Sequence, residues 1–182
     1  NVPQIKECDA SLQYSSHNLD PGESAPNSFE VENIGNTEWT VTANAQSLDG
    51  DDISGWVDFD SPLSRLLEEP GSSEDSHTFT FDVTPDDSLE AGTQVAIGIQ
   101  GRAGSEIGCE KVLTVTVGQE FGASMSLSKS RLSNVEPGTS GTLSIQITNQ
   151  GNGQETMALG TSGVPPGLSL IHISEPTRQL QI

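Results

Sequence analysis

Apolar and polar residues alternate one for one in short runs along this chain. Phe29 and Val31 alternate with Ser28, Glu30 and Glu32. Trp39, Val41 and Ala43 alternate with Thr40 and Thr42, and Phe79, Phe81 and Val83 with Thr78, Thr80 and Asp82. Val95, Ile97 and Ile99, then Leu113, Val115 and Val117, repeat the pattern. Period two with one apolar face marks a half-buried antiparallel strand. With strands near Ser11–Tyr14 and Trp56–Phe59, about seven short strands precede residue 118, at spacings suited to a β-sandwich. No 3.6-residue apolar period is sustained, and Ser64–Glu69 suggests one helical turn at most. The expected core is Phe29, Val31, Trp39, Val41, Phe79, Phe81, Val95, Ile97, Val115 and Val117.

One of these runs occurs twice. Residues Asp20–Asn36 return as Glu136–Asn152, 116 positions later, without a gap. Seven positions are identical, among them the Pro-Gly turn and the Asn-x-Gly-Asn ending. Each copy reads as turn, strand, turn. Pro fixes φ and Gly tolerates positive φ in the opening turn, and Asn-x-Gly-Asn supplies residues that accept left-handed backbone at the close. Leu143, Ile145 and Ile147 share one face of the second strand. A repeat of this period is a module copied in tandem. The expected organisation is a complete sandwich over 1–118 and the first strands of a truncated second copy over 119–167. Phe121, in the short join, is expected to insert between the two.

The Pro-Gly turn before an alternating strand, the Asn-x-Gly-Asn turn and Ser162-Gly163-Val164-Pro165-Pro166-Gly167 carry a resemblance. So do Gly55-Trp56, Glu69-Pro70-Gly71-Ser72-Ser73 and Glu90-Ala91-Gly92-Thr93. At these residues the chain resembles the immunoglobulin-like family associated with secreted alpha-galactosidases and archaeal surface proteins, and more distantly the bacterial cell-adhesion-related domain. The resemblance implies an all-β fold of tandem immunoglobulin-like antiparallel sandwiches in a modular extracellular protein, with no catalytic residues to carry over.

Residues 168–182 have a different character. Leu168-Ser169-Leu170-Ile171-His172-Ile173-Ser174-Glu175-Pro176-Thr177-Arg178 resembles the in-frame translation of a transposase-type sequencing adapter. Gln179-Leu180-Gln181 then fill the codons of its sample index, and Ile182 the next fixed codon. On that reading the tail is non-native, the second module is cut short, and His172 is no ligand. The chain starts at Asn1 rather than Met, so an upstream signal or domain is expected.

The formal net charge is −19. Residues 1–118 hold 22 acids against Lys6, Arg65, Arg102 and Lys111. Such a surface repels nucleic acid and anionic membranes and suits a screened, salty exterior. No apolar stretch is long enough to span a membrane, and no Asn-x-Ser/Thr sequon occurs. Cys8 precedes the first expected strand and Cys109 immediately precedes the last. If those strands lie side by side, a disulfide is feasible; in a reducing cell both would be free thiols. The resemblance and the acidity favour the disulfide.

Chemistry is sparse. Asp49-Gly50-Asp51-Asp52, with Asp58 and Asp60 nearby, offers oxygen ligands of the kind calcium takes. The spacing is not that of an EF-hand loop, and most acidic turns in so acidic a protein are simply solvated, which makes this a weak calcium candidate; Asp86-Asp87 is weaker still. His17, His77 and the two cysteines lack zinc-ligand spacing. No nucleophile elbow, zinc-protease motif or phosphate loop is present. Among candidate sugar-stacking aromatics, Trp39 is in register with the core, leaving Trp56 and Tyr14 open. The expected function is a non-catalytic spacer or adhesion module of a secreted or cell-surface protein. Its partners would be neighbouring modules and a cell-surface protein or polysaccharide. The alternative is an accessory, carbohydrate-binding region of a secreted hydrolase whose catalytic domain lies elsewhere.

Overall fold

The computed structural model describes residues 3–163. The adapter-like tail over 168–182, and Val164–Gly167 of the last family motif, lie outside the described residues. Among the described residues, β1 (Cys8–Leu12), β2 (Ser16–Leu19), β3 (Ala25–Asn33), β4 (Trp39–Ser47) and β5 (Val57–Phe59) are followed by β6 (Ser64–Leu67), β7 (Ser76–Val83), β8 (Gln94–Ala103) and β9 (Glu106–Val117). After these come β10 (Ala123–Leu127) and β11 (Ile145–Asn149). A four-stranded sheet runs β1-β3-β7-β5 and faces a five-stranded sheet β2-β9-β8-β4-β6. Neighbours pair antiparallel except β2 and β9, which are parallel. Reading the strands by position, one sheet has the immunoglobulin order A-B-E-D and the other adds an extra strand at each edge of G-F-C. The fold is therefore an immunoglobulin-like β-sandwich.

The alternating pattern places the core as expected. Phe29, Val31, Val41, Val95, Ile97 and Val115 are fully enclosed, and Trp39, Phe79, Phe81 and Val117 nearly so. Burying each such side chain contributes about 1.5–3 kcal/mol. Trp56 joins them from just before β5. The Asp20–Glu23 turn closes with a 2.9 Å bond from Glu23 N to Asp20 O, and Gly22 takes a positive φ of 71° there.

Several details differ from the sequence reading: β11 begins at Ile145 and leaves Leu143 outside it, and four more concern the sandwich. The sandwich has nine strands rather than about seven. Ser64–Leu67 is strand β6, not a helical turn: its backbone pairs with the β4 edge, and Leu67 is driven inside while Arg65 and Leu66 face out. The first strand begins at Cys8, ahead of Ser11. Both cysteines also sit within strands. Cys8 belongs to one sheet and Cys109 to the other, so their disulfide links the two sheets where β1 and β9 approach, with Cα atoms 5.2 Å apart and Cys109 only partly buried, and does not join neighbours in one sheet. Room for it comes from glycine: a Cβ at Gly101 would lie 2.9 Å from the Cys109 sulfur, and one at Gly108 would lie 2.8 Å from the Trp39 ring.

The strands β10 and β11 form a separate antiparallel pair. Its register matches that of β1 with β3. Ala123 faces Asn149 as Cys8 faces Asn33, Met125 faces Ile147 as Ala10 faces Val31, and Leu127 faces Ile145 as Leu12 faces Phe29. The copied face has no second sheet over it among the described residues, and Met125 is 63% and Ile147 40% exposed.

Candidate functional site

The repeated Asn-x-Gly-Asn segment builds the same clamp twice. Asn33, fully buried at the end of β3, accepts from Gly35 N (3.0 Å) and donates to Thr37 O (2.9 Å). Asn149, at the end of β11, accepts from Gly151 N (2.8 Å) and donates to Gly153 O (2.6 Å). The side chain thus folds the turn by bonding its own backbone two and four residues on. Asn33 does more than its copy. It also donates to Glu68 O (2.6 Å) and accepts from the Trp39 indole Nε1 (3.0 Å).

The glycine of the motif has a different purpose from the one its turn composition suggests. Neither Gly35 nor Gly151 has a positive φ. A Cβ at Gly35 would collide with Ile5 O, and one at Gly151 with Glu120 O. Each glycine admits the backbone of the chain segment entering its own repeat. The second asparagine then grips that segment. Asn36 Oδ1 accepts from Ile5 N (2.7 Å), and its Nδ2 donates to Pro3 O (3.0 Å). Asn152 Oδ1 accepts from Glu120 N (2.8 Å), and its Nδ2 donates to Gly118 O (2.9 Å). In both copies the asparagine brackets a carbonyl and the N–H two residues beyond it.

This clamp holds the join between β9 and β10, where Phe121 was expected to act. Phe121 is 75% exposed. Hydrogen bonds carry the junction: Gly122 N donates to Glu155 (3.0 Å) and Gln119 Nε2 to Gln154 O (3.2 Å). Asn152 also reaches the sandwich itself, donating to Leu89 O (3.2 Å) and accepting from Ala91 N (3.0 Å).

The candidate calcium residues are spread out. Asp49 caps Ala96 N (3.2 Å), Asp52 caps Ser54 N (2.9 Å) and Asp60 accepts from the Thr80 hydroxyl. Asp58 lies on β5 opposite Asp82. Among the described residues no three His, Cys, Asp or Glu side chains converge on a point that would hold a metal. Asp51, Asp52 and Asp86 share the rim of a depression of about 290 Å³. Hydrogen bonds from Ser54 hold Asp52 below the usual carboxylate range, and those from Ser88 do the same for Asp86. A wider groove of about 570 Å³ runs between the free part of β4 and β5, with Ile53, Phe59 and Leu63 in its wall. Trp39 and Trp56 are buried, so neither is a stacking platform for sugar; Tyr14 is 50% exposed.

The two described histidines are structural neighbours of the core. His77 sits edge-on to Phe79. His17 Nε2 faces Asn27 Nδ2 at 3.1 Å. Asn27 Oδ1 already accepts from Tyr14 N and Ser28 N, so its orientation is set and His17 Nε2 must be the acceptor. Burial pushes His17 below its ordinary range, and protonating Nε2 would set donor against donor. A depressed histidine pKa means stability that is complete above the unfolded value and declines as pH falls through it. We predict that His17 titrates below 6.5 by NMR; a midpoint at or above that value would contradict the Asn27 contact.

No protein-family description and no curated protein matches this chain in sequence. Several solved structures are similar to it. The ASH/PapD-like domain of human CEP192 (PapD-like domain 7) is 18% identical over 59% of this chain and 84% of that one, with a TM-score of 0.38. Domains 4 and 5 of the S-layer protein SbsC are 17% identical over 64% of this chain and 54% of that one, with a TM-score of 0.38. The BIgI domain of beta protein from S. agalactiae, solved bound to CEACAM1, is 9% identical over 62% of this chain and 97% of that one, with a TM-score of 0.34. At these identities the likeness concerns the fold alone, and the immunoglobulin-like assignment rests on strand order and pairing.

Proposed function

We propose that this chain is a non-catalytic spacer or adhesion segment of a secreted or cell-surface protein. Residues 1–118 are read as one complete immunoglobulin-like module and 119–167 as the opening strands of a second. The observation that carries this reading is the repetition, at β10 and β11, of both the β1–β3 register and the asparagine clamp. The inter-sheet disulfide supports an oxidising location, and the acidic surface argues against nucleic acid as a partner. The partners that fit best are neighbouring modules of the same kind.

A spacer should resist lengthening. A pull on the two ends of the sandwich enters at β1 and leaves at β9. Cys8 and Cys109 are 101 residues apart in sequence and bonded to each other. Load passes from β1 to β9 through the sulfurs, and the chain between them is shielded. Single-molecule stretching tests this. The oxidised protein is expected to show no step near ~35 nm, whereas the reduced protein should release about 3.6 Å per freed residue and show one. A long step in protein purified without reductant would show that the bond is open and would remove the disulfide's support for the spacer reading.

A further inference from the structure

We propose that the Asn33–Asn36 turn is a docking joint that seats the Leu89–Gly92 turn of another immunoglobulin-like module of this kind; the proposal rests on the tandem reading above. The second clamp shows how such a joint is made. Asn152 commits Oδ1 and one Nδ2 hydrogen to the linker, at Glu120 N and Gly118 O. It commits the other Nδ2 hydrogen and its main-chain carbonyl to the body of the sandwich, at Leu89 O and Ala91 N. One residue therefore ties the linker to the module that precedes it.

Asn36 has completed half of this arrangement. It holds Ile5 N and Pro3 O with the same two groups. Among the described residues, its second Nδ2 hydrogen and its main-chain carbonyl have no partner, and these are the groups that Asn152 gives to Leu89 and Ala91. Asn36 is exposed, and two apolar side chains beside it, Ile5 (45%) and Ile34 (53%), are exposed as well. The sequence agreement reaches the linker: Val2-Pro3-Gln4 parallels Val117-Gly118-Gln119. The fitting partner offers a carbonyl and, two residues on, an N–H, as Leu89 and Ala91 do ahead of Gly92, whose φ is 83°. A joint of this kind fixes the angle between successive modules, since one side chain grips linker and body together.

Hydrogen exchange at the Ala91 amide reads the joint. In the unaltered chain Ala91 N is held by the main-chain carbonyl of Asn152. Asn152→Ala keeps that carbonyl but removes the side chain's hold on Gly118, Glu120 and Leu89, which is expected to loosen the joint and speed Ala91 exchange about tenfold. A second protein carries residues 1–119 directly ahead of Ile5 of the full chain, so that Gly118 takes the place of Pro3 beneath Asn36. Segmental isotope labelling separates its two Ala91 amides. Both are expected to be protected. Asn36→Ala in the downstream copy should release the upstream Ala91 about tenfold and leave the Asn152-held one unchanged. Asn36→Asp, which keeps the acceptor for Ile5 and removes both donations, should act in the same direction. An upstream Ala91 that exchanges freely while the other stays protected overturns the docking joint and leaves the tandem reading in place. Free exchange at Ala91 of the unaltered chain overturns the tandem reading, and this inference with it.

Discussion

Replacing Cys8 and Cys109 together with alanine is expected to lower the stability of the sandwich by about 4–5 kcal/mol. The bond closes a loop of sequence separation 101, and in the chain-entropy account its main effect is to remove conformations from the unfolded chain. The folded side adds a smaller loss. The sulfurs fill space that Gly101 and Gly108 leave open between Val41 and Trp39, and truncation leaves a gap there. Chemical denaturation of the oxidised protein, the reduced protein and the double variant measures the effect. The last two should nearly coincide, both well below the first. A loss under about 1 kcal/mol would mean either that the bond does not close or that the unfolded chain is already compact.

Asn33→Ala is expected to cost about 3–5 kcal/mol, far more than a turn residue ordinarily does. Four groups lose their partner: Gly35 N, Thr37 O, Glu68 O and the Trp39 indole N–H. Water can reach some of them, but Trp39 is buried, and an unpaired buried donor bears most of its desolvation cost. Asn33→Asp separates this from simple loss of packing. The carboxylate keeps both acceptor bonds but turns oxygen toward the Thr37 and Glu68 carbonyls. Burial and those carbonyls raise its folded-state pKa above the unfolded value. The variant's stability relative to the parent should then be greatest below the unfolded pKa, near pH 4, and fall as pH rises through the folded value. A gap between variant and parent that does not change with pH would remove the hub role. Asn149→Ala, at the exposed copy of the same turn, should cost less than about 1 kcal/mol, because water replaces what is lost.

That contrast shows where reading the chain as text stops. Asn33 and Asn149 occupy identical places in the repeat, and both fold their own turn. Only Asn33 has an indole and a distant carbonyl within reach, because β4 and the segment after β6 pack around it. Gly35 and Gly151 make the same point. Asn-x-Gly-Asn looks like a turn that needs left-handed backbone, yet the glycine is required by an incoming main chain 30 residues earlier in the first copy and 31 in the second. Composition cannot reveal which backbone approaches which Cα.

Alternation determined the strands and the inside of the sandwich, since a period of two leaves each apolar residue only one face to bury, and the repeat placed the turn, strand and turn around β3 in the chain a second time. Local pattern lacked the power to place β6 and β2, edge strands of four residues whose structure comes from the neighbours they pair with. It could name the two cysteines but not the sheets that carry them. Which sheet a strand joins, which carbonyl meets which asparagine, and that Phe121 turns to water while Asn152 holds the junction, depend on contacts between residues far apart in sequence. Those contacts exist only once the two sheets have closed on each other, and the tertiary structure decided them.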